Sequence, residues 1–177
     1  MAEEMTLVFD LETNGLLNDV TRIHCLAIYD STTDEIETYN DEKNNKYSIS
    51  EGLGKLLVAD TIVGHNIIGF DLPVISKLYS YFTPRCCVVD TLLLSRLYHP
   101  NILDIDHNRK WRHMPLQLYG RHSLESYGYR LGEYKGEFGK TSDWSEWSKE
   151  MEDYCAQDVE VTKKLCDHFH PYLTGAR

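Results

Sequence analysis

The 177-residue sequence lacks the features that mark membrane, exported or disordered chains. No apolar run approaches the ~18 residues that a membrane span needs, and the N-terminus has no basic, apolar leader. There is no low-complexity tract, and 42% hydrophobic with 26% charged residues is typical of a packed core. We therefore expect one globular domain over residues 1–177, located in the cytoplasm and without membrane contact.

Cysteine pairs with a recognisable spacing are also absent. Cys86 and Cys87 are adjacent, Cys25 lies in a strand-like run, and Cys155 and Cys166 lie in a helix-like run. An odd number of cysteines placed in this way indicates reduced, mostly buried thiols. There is no Cys-x-x-Cys, and none of the eight histidines has the spacing of a structural zinc site. Neither a disulfide framework nor structural zinc is expected.

Hydrophobic periodicity predicts an α/β fold. The expected order is three strands, then helix, strand, helix, strand and helix, an irregular stretch over 99–122, and two further helices. The three first strands are expected to form an antiparallel meander, and the later ones to pair in parallel. The predicted architecture is a mixed β-sheet flanked by α-helices. The expected strands are Thr6–Asp10, Arg22–Asp30, Glu35–Asn40, Thr61–Gly64 and Cys86–Val89. The expected helices are Ser50–Ala59, Asp71–Phe82, Thr91–Tyr98, Ser123–Leu131 and Trp144–Phe169.

Two acids follow the first buried strand. Asp10 comes directly after Leu7-Val8-Phe9, and Glu12 lies two residues further on. Residues i and i+2 of a strand point to the same side, so these carboxylates are expected to project together. Two neighbouring anions repel unless a cation lies between them. A solvated strand end explains the pair equally well.

Two further acids occupy unusual positions. Asp71 follows an internal strand at the start of a predicted helix, and a role as the N-cap of that helix would explain it as well. Asn66, five residues upstream, can be explained as a turn former. Asp158 lies on the buried stripe of the last predicted helix, with Tyr154 one turn away on the same face. A buried arginine or hydroxyls would satisfy Asp158 as well. Four carboxylates at one point, however, favour Mg²⁺ or Mn²⁺.

Three motifs resemble those of the DEDD exonuclease superfamily. They are Asp10-Leu-Glu12-Thr-Asn-Gly, Asn66-x-x-x-Phe70-Asp71 and Tyr154-x-x-x-Asp158. The tyrosine four residues before the last acid is typical of the DEDDy type, since the DEDDh type would have histidine where this chain has Asp153. Segments 90–97 and 123–138 closely resemble the proofreading domain of podovirus family A DNA polymerases. The resemblance covers about Thr6 to His170.

The resemblance implies a ribonuclease H-like fold and two divalent cations, Mg²⁺ or Mn²⁺. It implies hydrolysis of single-stranded DNA, or of a frayed 3′ end, in the 3′-to-5′ direction with release of nucleoside 5′-monophosphates. Asp10, Glu12 and Asp158 would hold one cation. Asp10 would also contact the second, which Asp71 reaches directly or through water. Tyr154 would orient the attacking water.

The resemblance also implies substrate contacts. Asn66 and the backbone near Thr13 would contact the terminal nucleotide, and Leu16 would act as an apolar wedge between the last bases, although a packing role explains Leu16 nearly as well. The net charge of −10 is unfavourable for phosphate binding, but residues 107–122 contain no acid and carry +4, which leaves −14 on the rest. We expect this basic, aromatic stretch to contact the strand. Its expected contact residues are Arg109, Lys110, Trp111 and Arg112. A solvated loop with two aromatic side chains in the core is the alternative.

The 177 residues leave no room for a polymerase domain. The expected forms are an excised domain, the product of a split gene that works with a separately encoded DNA polymerase, or a free-standing exonuclease, in the host cytoplasm if a phage encodes it. Two other functions stay open: an exoribonuclease with the same site, and a non-catalytic module that binds nucleic acid or a partner. A non-catalytic module would be expected to have lost a metal ligand. All four carboxylates and Tyr154 are present in this sequence.

Overall fold

The computed structural model describes residues 4–43, 45–133 and 143–176. Its centre is a five-stranded sheet in the order β3-β2-β1-β4-β5. β1 pairs antiparallel with β2, and β2 with β3, while β1–β4 and β4–β5 are parallel. The predicted mixed sheet is therefore confirmed. The strands are β1 Thr6–Thr13, β2 Ile23–Asp30, β3 Glu35–Tyr39, β4 Thr61–Gly64 and β5 Cys87–Asp90.

Helices cover the sheet and fill the connections between its parallel strands. They are α1 Ile49–Val58, α2 Asp71–Leu78, α3 Thr91–Tyr98, α4 Ile102–Arg109, α5 Leu124–Leu131 and α6 Lys149–Leu173, with a short 3₁₀ turn at Leu116–Leu118. Within the described ranges, no helix combines the length and the apolar character that crossing a membrane requires.

The two faces of β1 belong to different parts of the core. Phe9 and Leu11 pack into the larger cluster together with residues of α1 and α2. Val8 packs on the opposite face, against Cys155 and Val159 of α6. Because side chains alternate along a strand, the residues two and four after Val8 point towards α6 as well. This alternation decides where the acids of β1 lie.

Several boundaries differ from the sequence-based expectations, among them the C-terminal ends of α2, at Leu78 instead of Phe82, and of α6, at Leu173 instead of Phe169. β1 continues to Thr13 instead of ending at Asp10. Helix α1 begins at Ile49 because Ser48, not Ser50, is its N-cap and forms a capping box with Glu51. Helix α6 begins at Lys149 rather than Trp144, since the Ser148 hydroxyl accepts the backbone N–H of Met151 at 3.1 Å and caps the helix there.

The expectation of an irregular stretch over residues 99–122 is wrong. It contains α4 and the 3₁₀ turn. Helix α4 escaped detection because it buries only Ile102 and Asp106, and one of these is an acid. The apolar period on which the prediction relied is therefore missing. Residues 134–138 of the predicted resemblance segment lie outside the described residues.

The cysteines behave as predicted only in part. All five are free thiols, and Cys25 and Cys155 are buried. Cys87 is exposed, because it begins an edge strand of the sheet.

Candidate functional site

Asp10 and Glu12 lie in the middle strand of the sheet, on the face that α6 covers. They oppose Ala27 and Cys25 of β2, and the register shifts directly after Glu12. Leu11 between them is buried on the other face. The expected projection of both carboxylates to one side is therefore what the structure shows, although they stand within the strand and not beyond its end.

Asp158 of α6 completes a group of three carboxylates. One oxygen from each of Asp10, Glu12 and Asp158 lies within 4.8 Å of the others. Cys155 and Val159 anchor this part of α6 to the sheet, because both are fully buried against Val8. Cys155 also donates its thiol to the Asp10 carbonyl oxygen at 3.3 Å and lies 3.7 Å from Asp10 Oδ2.

Asp71 joins the group from the first residue of α2. It is 3% exposed and accepts the backbone N–H of Leu11, which fixes it against β1. Its charge also raises the pKa of Asp10. The N-cap interpretation of Asp71 is wrong, because Phe70 occupies the N-cap position and Asp71 is the first residue of the helix.

The environment of these acids disfavours their charged forms. Burial raises the pKa of Asp10 well above its usual range, and the charges of Asp71, Glu12 and Asp158 raise it further. The pKa of Glu12 is raised by burial first and then by Asp158 and Asp71. Burial likewise raises the pKa of Asp71. In the described part of the chain, no ion pair involves Asp10, Glu12 or Asp71.

Tyr154 stands one turn before Asp158 and donates its hydroxyl to that carboxylate. Burial and the nearby charges of Asp158, Glu12 and Asp10 raise the pKa of this phenol, so it stays protonated at neutral pH. Its ring packs edge-on against Trp144, with centroids 6.4 Å apart. His24 Nε2 lies 3.0 Å from the Trp144 carbonyl oxygen and links this aromatic pair to β2.

Asp90, the last residue of β5, is a supporting residue. It caps α3 through the N–H of Leu92. Its carboxylate also accepts the N–H groups of Asn66 and Ile68 at 2.9 and 3.1 Å, which holds the loop before Asp71. Neither this role nor that of Cys155 has a signal in the sequence, because both depend on contacts between distant segments.

Three predicted substrate residues lie at the end of β1 or on the loops that follow β1 and β4. Thr13 is buried and donates its hydroxyl to the Gly15 carbonyl oxygen, so its side chain shapes the loop. Leu16 is 76% exposed, which argues against a packing role. Asn66 is exposed and has a positive φ of 65°.

The basic stretch belongs to a different part of the fold. Arg109 ends α4, and the exposed Lys110 follows in the left-handed region at φ 52°. Trp111 is half-buried, donates Nε1–H to Asp106 at 2.9 Å and lies under the Arg109 guanidinium. Arg112 is exposed. The alternative of a solvated loop matches residues 110–115, which have no helix or strand and expose Lys110 and Arg112 while Trp111 is half-buried. The contact with a nucleic-acid strand stays a prediction.

The structure therefore brings the four acids and Tyr154 together but leaves the basic stretch beside α5 and the C-terminal half of α6. His168, which lines a cavity with Arg109 and Trp111, is ten residues beyond Asp158 on α6. At 1.5 Å per residue this corresponds to ~15 Å along the helix.

The acidic group fits hard divalent cations. Its donors are carboxylate oxygens, which Mg²⁺ and Mn²⁺ prefer. Mutual repulsion among carboxylates that lie within 4.8 Å of one another is relieved when cations bind between them.

Comparison with known proteins supports the same fold. The family model of the RNase H superfamily matches residues 7–170. The DNA-directed DNA polymerase of Escherichia phage T7 is 35% identical over 183 residues, which cover 91% of this chain and 26% of the polymerase. The chain thus spans about a quarter of the length of this curated relative.

Solved structures of lower identity share the fold. Brucella melitensis NrnC with bound Mg²⁺ superposes with a TM-score of 0.62 at 22% identity, over 97% of this chain and 74% of that one. The zinc-bound complex of E. coli ExoI with single-stranded DNA gives a TM-score of 0.56 at 16% identity, over 99% of this chain and 43% of that one.

Proposed function

Because the chain belongs to the RNase H superfamily, we propose that it is a metal-dependent exonuclease that shortens single-stranded DNA from the 3′ end. The products are nucleoside 5′-monophosphates. The observation that carries the proposal is the meeting of the Asp10, Glu12 and Asp158 carboxylates within 4.8 Å, beside a buried Asp71. A binding module has no need for such a costly concentration of three half-buried acids and one buried acid.

Two divalent cations, Mg²⁺ or Mn²⁺, fit this donor set. Asp10, Glu12 and Asp158 would hold one, and Asp10 with Asp71 the other. When bound, such a pair neutralises charge on the attacking and leaving oxygens of a phosphodiester. The proposed roles of the cations are supported by the carboxylate geometry and by the Mg²⁺ in the NrnC structure of the same fold.

The chain itself positions the reactants. Tyr154, protonated and tied to Asp158, orients the attacking water through its hydroxyl. Asn66 and the backbone near Thr13 contact the terminal nucleotide, and the exposed Leu16 separates it from the next base. Arg109, Lys110, Trp111 and Arg112 contact the strand further from its end.

The relatives supply the substrate class of the proposal. The T7 relative is a DNA polymerase, and ExoI was captured with single-stranded DNA. Proofreading is the corresponding biological role, with a DNA polymerase on a separate chain or on a longer form of this one as the partner. An exoribonuclease with the same site is the alternative, so RNA is a necessary arm of the test.

The experiment uses 5′-labelled single-stranded DNA and an RNA of the same sequence, with Mg²⁺ or Mn²⁺. Wild type is compared with Asp10→Ala and with the control Asp19→Ala, which removes an exposed acid from the loop after β1. We expect a DNA ladder that shortens from the 3′ end with wild type and Asp19→Ala, and none with Asp10→Ala or EDTA.

The other outcomes are informative. A ladder on RNA alone would change the substrate but keep the site. Intact DNA and intact RNA with both metals would contradict the proposed activity and favour the binding module.

A further inference from the structure

A second cavity lies away from the carboxylates, where α4, α5 and the C-terminal half of α6 meet. Its volume is about 340 Å³, at the small end of the ~300–1,000 Å³ range of ligand pockets. Two arginines, two histidines and the rings of a tryptophan and a tyrosine contribute to its wall, and none of the described residues that line it is an acid. These residues are His99, Arg109, Trp111, Tyr127, Arg130 and His168.

The positive charge of the wall is only partly compensated. Asp106, fully buried beneath it, pairs with Arg130 at 2.7 Å and neutralises one guanidinium. Asp106 also accepts the Trp111 Nε1–H and the Gly120 N–H, so its oxygens are fully occupied. Arg109 has no ion pair among the described residues, and it carries a full charge at the edge of the cavity.

Arg130 leaves one donor unused. Its side chain is only 6% exposed, and its Nη1 has no hydrogen-bond partner within the described part of the chain. A buried, charged donor without an acceptor is costly, and an anionic oxygen is the acceptor that satisfies it best. The same guanidinium lies over the Tyr127 ring, 4.8 Å from its centroid. Arg130 therefore has an unmet anion contact, while its guanidinium covers the buried Tyr127 ring.

The half-buried Trp111 completes the match to one ligand class. Its ring lines the same cavity as the two arginines, and an aromatic ring beside a cation suits a base with its phosphate. The distance along α6 from Asp158 to His168 is ~15 Å, so this cavity is separate from the carboxylate site.

We propose that this cavity binds one nucleotide, with the phosphate on Arg109 and Arg130 and the base against Trp111. The nucleotide is either a unit of the bound strand, upstream of the 3′ end, or a free nucleoside monophosphate. The first source rests on the proposed function, whereas the second does not. Both share the chemistry of a phosphate ester joined to a flat base.

Isothermal titration calorimetry in EDTA tests the proposal without any hydrolysis. The ligands are deoxyadenosine 5′-monophosphate, deoxyadenosine, and oligodeoxyadenylates of two and eight nucleotides. The variant is Arg109→Ala, which is expected to fold because Arg109 is exposed. The matched control is Arg85→Ala, at an exposed arginine outside the cavity.

We expect Arg109→Ala to weaken binding by about tenfold or more, the loss of one charge-assisted phosphate contact, while Arg85→Ala binds like wild type. If Arg109→Ala weakens binding of the monophosphate, and deoxyadenosine does not bind, the cavity is a site for a free nucleotide. If Arg109→Ala weakens binding of the octamer alone, and not of the dimer, the cavity holds a unit of the strand.

The proposal is overturned if neither the monophosphate nor the octamer binds wild type, or if Arg109→Ala and Arg85→Ala bind both ligands equally. If the protein binds the nucleotide in this cavity but cuts no DNA, this inference holds and the proposed function is contradicted. Failure of the one can therefore be told apart from failure of the other.

Discussion

Asp10 is a carboxylate that has other carboxylates as neighbours. Burial, and then the charges of Asp71, Glu12 and Asp158, raise its pKa. The folded protein without metal therefore binds protons that the unfolded chain has released. Stability is consequently lost as the pH rises from the ordinary carboxyl pKa towards the raised one. Without metal, the carboxylate site therefore lowers the free energy of unfolding at neutral pH.

The first prediction follows from this loss of stability with rising pH. In EDTA near pH 7.5, Asp10→Asn should stabilise the protein by about 1 kcal/mol or more, because the carboxyl group must otherwise take up a proton or keep a disfavoured charge when the chain folds. For a chain of this length that is about 2–4 °C in Tm. The same variant should lose the rise in Tm that millimolar Mn²⁺ gives wild type. Thermal unfolding of wild type, Asp10→Asn and the control Asp19→Asn measures both effects, and a lower Tm of Asp10→Asn in EDTA would contradict this account.

Tyr154 provides the second prediction. Tyr154→Phe keeps the ring against Trp144 but removes the hydroxyl that bonds Asp158. We expect kcat on single-stranded DNA to fall by about tenfold or more, while KM and the Mn²⁺-induced rise in Tm stay near wild type. Tyr81→Phe, at an exposed tyrosine, is the control. An unchanged kcat would show that the hydroxyl has no part in the reaction.

At the scale of elements, Asp106 joins α4 to α5. Its buried carboxylate accepts two bonds from Arg130 of α5, one from Trp111 and one from the backbone of Gly120. Helix α4 has little apolar surface of its own, so this acid replaces the usual hydrophobic anchor. The hydrophobic pattern did not predict α4 for the same reason.

The third prediction tests that anchor. Asp106→Ala should lower the free energy of unfolding by about 3–5 kcal/mol, because it leaves Arg130 buried and unpaired. Asp104→Ala removes an exposed acid from the same helix and should cost less than about 1 kcal/mol. Chemical denaturation of the two variants provides the comparison. Equal, small losses would mean that α4 is held by other contacts.

Elements with strong local signals were predictable from the sequence. β4 and α3 have the predicted bounds, because each is a short buried or capped run between clear breaks. The first residues of α1 and α6 differ from the predicted ones because Ser48 and Ser148 are the N-caps of these helices. The Asp90 contacts to the loop before Asp71 depend on segments over twenty residues apart, so no local pattern shows them.

At the scale of the whole molecule, the sheet order explains the site. β1 is central, with β2 on one side and β4 on the other, so the acid pair of β1 lies between the loop after β4 and helix α6. The sequence predicted this meeting through the i, i+2 spacing and the motif resemblance. It did not predict that the basic stretch belongs to a separate cavity, because α4 was missed. The catalytic roles of the residues stay a prediction.

The most direct test of the central claim is anomalous diffraction at the manganese edge. Crystals of wild type would be grown with Mn²⁺ and thymidine 5′-monophosphate, with Asp10→Ala crystals as the control. We predict two peaks ~3.5–4 Å apart, one bound by Asp10, Glu12 and Asp158 and the other by Asp10 and Asp71, both lost in the variant. Well-diffracting wild-type crystals without manganese at these carboxylates would contradict the account.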